Sequence, residues 1–174
     1  MSMDIVIRNA RRDEASELSG LAMRSKAYWG YSREFMDACR EELSVPQSHL
    51  ENSRFCYVVA EHHGVIVGYY ALERLSAAEF ELEALFVEPR YIGSGIGRAL
   101  ITHAKKRAET AGGRTLIIQG DPNAENFYRA AGGRLTGKRE SASIPGRFLP
   151  IFKICLTEES VAQKVFSGRN RHGD

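Results

Sequence analysis

The chain has 174 residues, 43% of them hydrophobic and 26% charged, with five prolines, which suits one folded domain with a single sizeable core and excludes a disordered chain. Its 24 basic and 22 acidic residues leave a net charge of +2, too even a balance to draw it to nucleic acid. No apolar run approaches the roughly 20 residues of a membrane-spanning helix and the start lacks an export leader, so a cytoplasmic protein with no membrane partner is expected.

In chain order, Ile5 and Ile7 alternate with Val6 and Arg8 as a short strand, and Asp13 opens a stretch where Leu18, Leu21 and Ala22 recur at helical spacing. A second helix is expected from Ser32, whose hydroxyl can cap free amides, through Phe35, Met36, Cys39 and Leu43 to Pro46. Residues 55–60 and 65–72 are β-rich runs separated by Glu61, His62, His63 and Gly64, the pattern of an antiparallel hairpin, and 80–87 adds a third strand. After a glycine-rich loop, Ile96, Leu100, Ala104, Ala108 and Ala111 mark an amphipathic helix that stops at Gly112 and Gly113. A strand at 115–119, a helix from about Pro122 to Ala131 capped by Asp121, and a strand pair at 134–139 and 148–156 follow. Residues 1–156 are expected to form the domain and 157–174 a short helix or a flexible tail. Cys39, Cys56 and Cys155 are far apart and form no C-x-x-C pair; they are expected to be buried free thiols, with no metal site.

The strand-to-helix junction from Leu85 to Leu100 carries the chemistry. Gly93, Gly95 and Gly97 at alternate positions let the backbone adopt positive φ and approach a ligand, and the helix behind them offers unpaired amides and the positive end of its dipole, a combination suited to phosphate. A P-loop would end in Gly-Lys-Ser or Gly-Lys-Thr, whereas Gly97 is followed by Arg98 and Ala99. The spacing departs from G-x-G-x-x-G, which weakens a dinucleotide reading, and a plain packing turn is the bland alternative.

The run Val87-x-Pro89 followed by Gly93-x-Gly95-Ile96-Gly97-Arg98-Ala99-Leu100 resembles motif A of the GNAT acyltransferases. At the expected distance downstream, Asp121-Pro122-Asn123-Ala124-Glu125-Asn126-Phe127-Tyr128-Arg129-Ala130-Ala131-Gly132 resembles motif B of the same superfamily. One departure stands out: the family usually carries Arg or Gln where this chain has Ile92. The resemblance spans residues 4–156. It implies an α/β fold with a mixed, mostly antiparallel sheet, splayed between its fourth and fifth strands and flanked by about four helices.

The implied activity is transfer of an acetyl group from acetyl-CoA to a primary amine, with a non-catalytic acyl-CoA-binding regulatory module as the alternative. The implied cofactor contacts are Phe86, Val87, Ile92, Gly93, Ser94, Gly95, Ile96, Gly97 and Arg98, with Asn123 and Asn126 from the second motif. Amides near Phe86 and Val87 would also form an oxyanion hole. Tyr128 would return a proton to the departing thiolate. An alkylammonium with a pKa of about 10.4 needs a base; alignment favours Glu81, and Glu83 lies two residues on along the same strand face.

The acceptor side is less specific. Tyr28, Trp29 and Tyr31 surround Gly30 and could wall an amine or pack between helices. Arg147 could bind an acceptor carboxylate or be solvated. His62 and His63 receive no role, Lys105, Lys106 and Arg107 are expected on an outer helix face, and a homodimer is possible.

Overall fold

The computed structural model describes residues 3–156, so the helix expected beyond Thr157 lies outside the described residues. The alternating apolar runs become seven strands: β1 (Ile5–Asn9), β2 (Phe55–His62), β3 (Val65–Arg74), β4 (Glu79–Val87), β5 (Thr115–Gln119), β6 (Arg134–Glu140) and β7 (Phe148–Cys155). They form one sheet in the order β1-β2-β3-β4-β5-β7-β6. All neighbours pair antiparallel except β4 and β5, which are parallel. The β2–β3 turn is only His63 and Gly64, both at positive φ (50° and 77°), the backbone twist that a two-residue hairpin requires.

The helices are α1 (Ala15–Ala27), α2 (Arg33–Leu43), α3 (Gln47–Leu50), α4 (Ile96–Thr110) and α5 (Glu125–Ala130). The Ser32 hydroxyl caps α2 by accepting from the Phe35 amide at 3.1 Å. The single turn of α3 follows Pro46, which the sequence reading took only as a stop. The expected helix from Pro122 starts as a 3-10 turn, Pro122–Ala124, capped by the Asp121 carboxylate, and becomes α-helical at Glu125.

Two apolar clusters lie on opposite faces of the sheet. On one, Val58, Ala60, Val67, Tyr70 and Leu72 meet Ile96, Leu100, Ile101, Ala104 and Ala108 of α4, with Tyr128 of α5 in the same cluster. On the other, Val59, Ile66 and Tyr69 meet Leu18, Leu21 and Ala22 of α1. Cys39 is buried as expected, whereas Cys56 and Cys155 are only half-buried, because each lies at an end of its strand rather than under a helix.

A β-bulge in β4 matters most for the site. Ala71 pairs with Ala84 and Leu72 with Leu82, so Glu83 is an extra residue and resets the two-residue alternation. Phe80 and Leu82 therefore pack on the α4 side, Ala84 and Phe86 on the α1 side, and Leu85 and Val87 on the α4 side again.

Leu100 is fully buried, and a Cβ on Gly68 would lie 3.0 Å from its Cδ1, so α4 rests directly on the β3 backbone. Leu100→Ala is expected to cost about 3 kcal/mol through lost burial and the cavity left behind, measurable as a lower denaturation midpoint.

Candidate active site

Parallel pairing between β4 and β5 runs only from Glu79↔Thr115 to Leu82↔Ile118, although β4 continues to Val87. Beyond that point the strands part, and residues 83–87 of β4 have a neighbour on the β3 side alone. The Glu88 amide donates to the Val67 carbonyl at 2.8 Å, which sets the hydrogen-bonding phase against β3. In an antiparallel pair, alternate residues turn both polar groups to the partner or both away. Ala84 and Phe86 thus bond to β3, and Leu85 and Val87 turn their amides and carbonyls into the gap. The Phe86 amide, expected among the cofactor contacts, is spent on β3, and the gap-facing amides are those of Leu85 and Val87. The Val87 amide meets the Ser25 Oγ of α1 at 3.4 Å.

The glycine loop begins as a 3-10 turn, Pro89–Tyr91. Gly93 and Gly95 have φ of 84° and 94°, and Gly95 is the N-cap of α4. Among the described residues the amides of Gly93, Gly95, Ile96, Gly97 and Arg98 have no backbone partner, and the first bond of the helix is Ala99 to Gly95 at 3.0 Å. These free donors stand at the positive end of a 15-residue helix, an arrangement suited to a pyrophosphate. The Ser94 hydroxyl turns back to the Tyr91 carbonyl, and the Ile92 and Ile96 side chains belong to the α4 core; of these three residues only Ile96 keeps a free amide, since those of Ile92 and Ser94 are spent on the Pro89 and Tyr91 carbonyls. At Gly97 a Cβ would sit 3.2 Å from the Phe127 ring, so glycine lets α4 and α5 close together.

The basic run on α4 does not share one outer face. Lys105 lines the cleft and its Nζ donates to the Ala131 carbonyl at 2.9 Å, while Arg107 reaches Asn9 at 3.1 Å on the opposite side; consecutive helical residues diverge too far in direction to stay together.

The gap opens into a cleft of about 1070 Å³ that takes in the glycine loop, Glu81 to Val87, and α5. Glu73, Glu81 and Glu83 bring carboxylate oxygens within 4.8 Å of one another. Arg54 pairs with Glu73 at 2.6 Å and Arg139 with Glu81 at 3.1 Å. Glu83 has no basic partner among the described residues. Its surface is open to the cleft, but protein crowds it on the other sides; that burial, with Glu73 and Glu81 beside it, pushes its carboxyl up to about 8. Tyr128 is buried, lines the cleft, and is seated by glycines: a Cβ at Gly120 would lie 3.1 Å from its ring, and one at Gly133 2.7 Å from its carbonyl oxygen. Burial, then the Asp121 charge, pushes its phenol up, so it keeps its proton.

A polar network borders the other end. Asp121 accepts from Tyr31 Oη at 2.8 Å and from Lys26 Nζ at 3.1 Å. Arg147 donates to Tyr31 Oη at 2.9 Å, and its guanidinium lies 4.8 Å from the Phe35 ring, on which Tyr31 stacks at 4.1 Å. Burial alone would raise the Asp121 carboxyl, but the Asn123 amide, Tyr31 and Lys26 hold it below its ordinary value. Burial, then Asp121, pushes the Tyr31 phenol up to about 12.

Four of the expected site residues are placed by these contacts or by their exposure. The Arg147 fork is only 19% exposed, lines the cleft, and is engaged through one nitrogen with Tyr31 and Asp121, so it is not a solvated surface arginine. Asn123 lines the cleft and donates its side-chain amide to Tyr31 and Asp121. Asn126 is exposed and off the cleft, and Tyr28 is 53% exposed, leaving Trp29 as the member of that pair that lines it. Lys26, Ser25 and Leu85 were not singled out from the sequence: the first two sit on a helix of ordinary composition, and the phase of β4 is visible only once its partner is known. Asp121 had a signal, read only as a helix cap.

A carboxyl whose folded pKa is raised holds its proton more tightly when folded, so Glu83 withdraws stability as pH climbs from the ordinary 4.5 to about 8. Glu83→Gln is therefore expected to raise Tm at about pH 9 and to have little effect at about pH 4, which a calorimetric pH series checks.

Similarity to known proteins agrees with this geometry. The profile of the family described as "Acetyltransferase (GNAT) domain" matches residues 14–143. The chain is 29% identical over 140 residues to the peptidyl-lysine N-acetyltransferase YjaB of Escherichia coli, covering 79% of this chain and 88% of that protein. It is 33% identical over 106 residues to the N-alpha-acetyltransferase RimI of Mycobacterium tuberculosis, covering 59% of this chain and 62% of that one. In fold it is similar to the PaiA N-acetyltransferase of Thermoplasma acidophilum, crystallised in complex with coenzyme A, with a TM-score of 0.74 and 21% identity over 88% of this chain and 99% of that one.

Proposed function

The chain belongs to the GNAT acetyltransferase family, and from that premise we propose that it moves an acetyl group from acetyl-CoA directly to a primary amine within a ternary complex. The observation that carries this reading is the gap in the sheet, with gap-facing strand amides on one lip, a helix N-terminus at its end and an unpaired carboxylate inside. The names of its relatives, one acting on peptidyl-lysine and one on an α-amine, support an amine acceptor. No described helix is long and apolar enough to cross a membrane.

The five free amides of the glycine loop would take the pyrophosphate, and the arm of the cosubstrate would lie along β4 as an added strand. Starting from the loop, the arm meets Val87 first and Leu85 further on, so the thioester carbonyl falls to the Leu85 amide. That amide can stabilise the charge that develops on the carbonyl oxygen, a contribution of about 3 kcal/mol in comparable sites.

Between the two candidate bases, Glu83 is favoured. Glu81 is held by Arg139, whereas Glu83 is free and has a pKa close to working pH, where a general base is most effective. The bound ammonium gives one proton to Glu83, and the neutral amine attacks the carbonyl carbon; the C–N bond forms, the C–S bond breaks, Tyr128 gives its proton to the leaving sulfur, and the second proton lost by the nitrogen returns to the Tyr128 oxygen, while Glu83 releases its own to solvent.

Titration calorimetry is expected to give saturable binding of acetyl-CoA and coenzyme A and none of NADH; no binding of either coenzyme A form would overturn the reading. Binding without turnover of any amine would instead favour an acyl-CoA-binding regulatory module. In a thiol-release assay Glu83→Gln is expected to lower kcat/KM by about a hundredfold and Glu81→Gln by far less. Tyr128→Phe should lower kcat by about tenfold or more without weakening acetyl-CoA binding.

A further inference from the structure

The end of α1 lies across the open part of the sheet. Three consecutive residues there reach both lips of the gap. Arg24 forms a two-pronged pair with Glu88, at 2.7 and 2.8 Å, just past the end of β4. Lys26 reaches Asp121, just past the end of β5, at 3.1 Å. Ser25, between them, points into the split.

Ser25 is 7% exposed and lines the cleft. A serine inside a helix commonly spends its proton on the carbonyl four residues back, as Ser19 does with Ala15 at 2.9 Å. Ser25 does not: among the described residues its Oγ accepts from the Val87 amide and its own O–H has no acceptor. A buried hydroxyl with an unspent proton, beside one of the two gap-facing amides of β4, is held in place from both sides by ion pairs of its neighbours. Leaving a buried donor unmade is costly, so the arrangement calls for an acceptor that comes from outside the chain.

We propose that Ser25 is a binding residue for the pantetheine arm of the cosubstrate: the Val87 N–H gives up its 3.4 Å contact with Ser25 Oγ, and that N–H and the Ser25 O–H then both donate to one amide carbonyl oxygen of the arm. This rests on the acetyltransferase reading. Val87 is the gap-facing residue nearer the glycine loop, so the carbonyl it meets belongs to the arm, while the thioester lies further along at Leu85. Ser25 would thus contribute affinity for anything that carries the arm and nothing toward its nucleotide end.

The test is calorimetric titration of wild type, Ser25→Ala and Ser25→Cys with coenzyme A and with adenosine 3′,5′-bisphosphate, which keeps the phosphates and lacks the arm. Loss of one hydrogen bond is expected to weaken coenzyme A binding about fivefold or more in both variants, and to leave the bisphosphate constant as in wild type. The cysteine variant keeps the volume and gives up most of the donor strength, so it separates a lost hydrogen bond from lost packing. Coenzyme A bound as tightly by both variants as by wild type would overturn the proposal, as would equal weakening toward the bisphosphate. A wild type that fails to bind coenzyme A would instead overturn the acetyltransferase reading itself.

Discussion

The parallel pairing of β4 with β5 lasts four residue pairs and then ends, and the site follows from that interruption. Buried backbone amides ordinarily find a partner, and those of a central strand find it in the next strand. By parting from β5, β4 leaves Leu85 and Val87 with polar groups directed into a gap at the middle of the sheet, where an extended ligand can take the place of the missing strand. The β-bulge at Glu83 sits just before this stretch. It leaves Glu81 and Glu83 on the α1 side and returns Leu85 and Val87 to the α4 side, so one strand presents two carboxylates on one face and unpaired backbone groups along its edge.

A gap in a sheet needs support, because nothing across it holds its lips at a fixed distance. Here helices on both faces supply that support. On the α4 side, Leu100 rests on Gly68, and Gly97 lets Phe127 of α5 close against the start of α4. On the other side, the end of α1 ties one lip through Arg24 and Glu88 and the other through Lys26 and Asp121. Asp121 then draws in Tyr31, and Tyr31 draws in Arg147 from the loop before β7. Segments far apart in sequence are joined at the border of the cleft by one partly buried carboxylate.

Charge is distributed unevenly around the cleft. Arginines neutralise Glu73 and Glu81 from behind, and Lys26 and Arg147 are taken up by Asp121. Glu83 is left as the unpaired carboxyl of its trio, in a field that favours its neutral form. A group so placed is sensitive to the arrival of a cation, which suits a site where an ammonium must be bound and then deprotonated.

The sequence alone determined the order of strands and helices, because periods of two and of about 3.6 residues are local properties of the chain. It also determined the glycine loop and its free amides, since positive φ at Gly93 and Gly95 and the exposed donors of a helix start are dictated within a few residues. That Tyr128 reaches the cleft and that Glu81 and Glu83 share a strand face could be expected for the same reason, from short-range spacing. The tertiary structure decided the rest. Which amides of β4 face the gap depends on its register with β3, which turns those of Leu85 and Val87 into it and that of Phe86 away. Which glutamate is free depends on where Arg54 and Arg139 end up, and those come from the turn before β2 and from β6. Arg147, Asn123 and Tyr31 were drawn into a network around Asp121, and Ser25 into the split, by contacts between residues up to about a hundred positions apart. Hydrogen bonds and ion pairs have no sequence period, so only the packed fold can assign their partners.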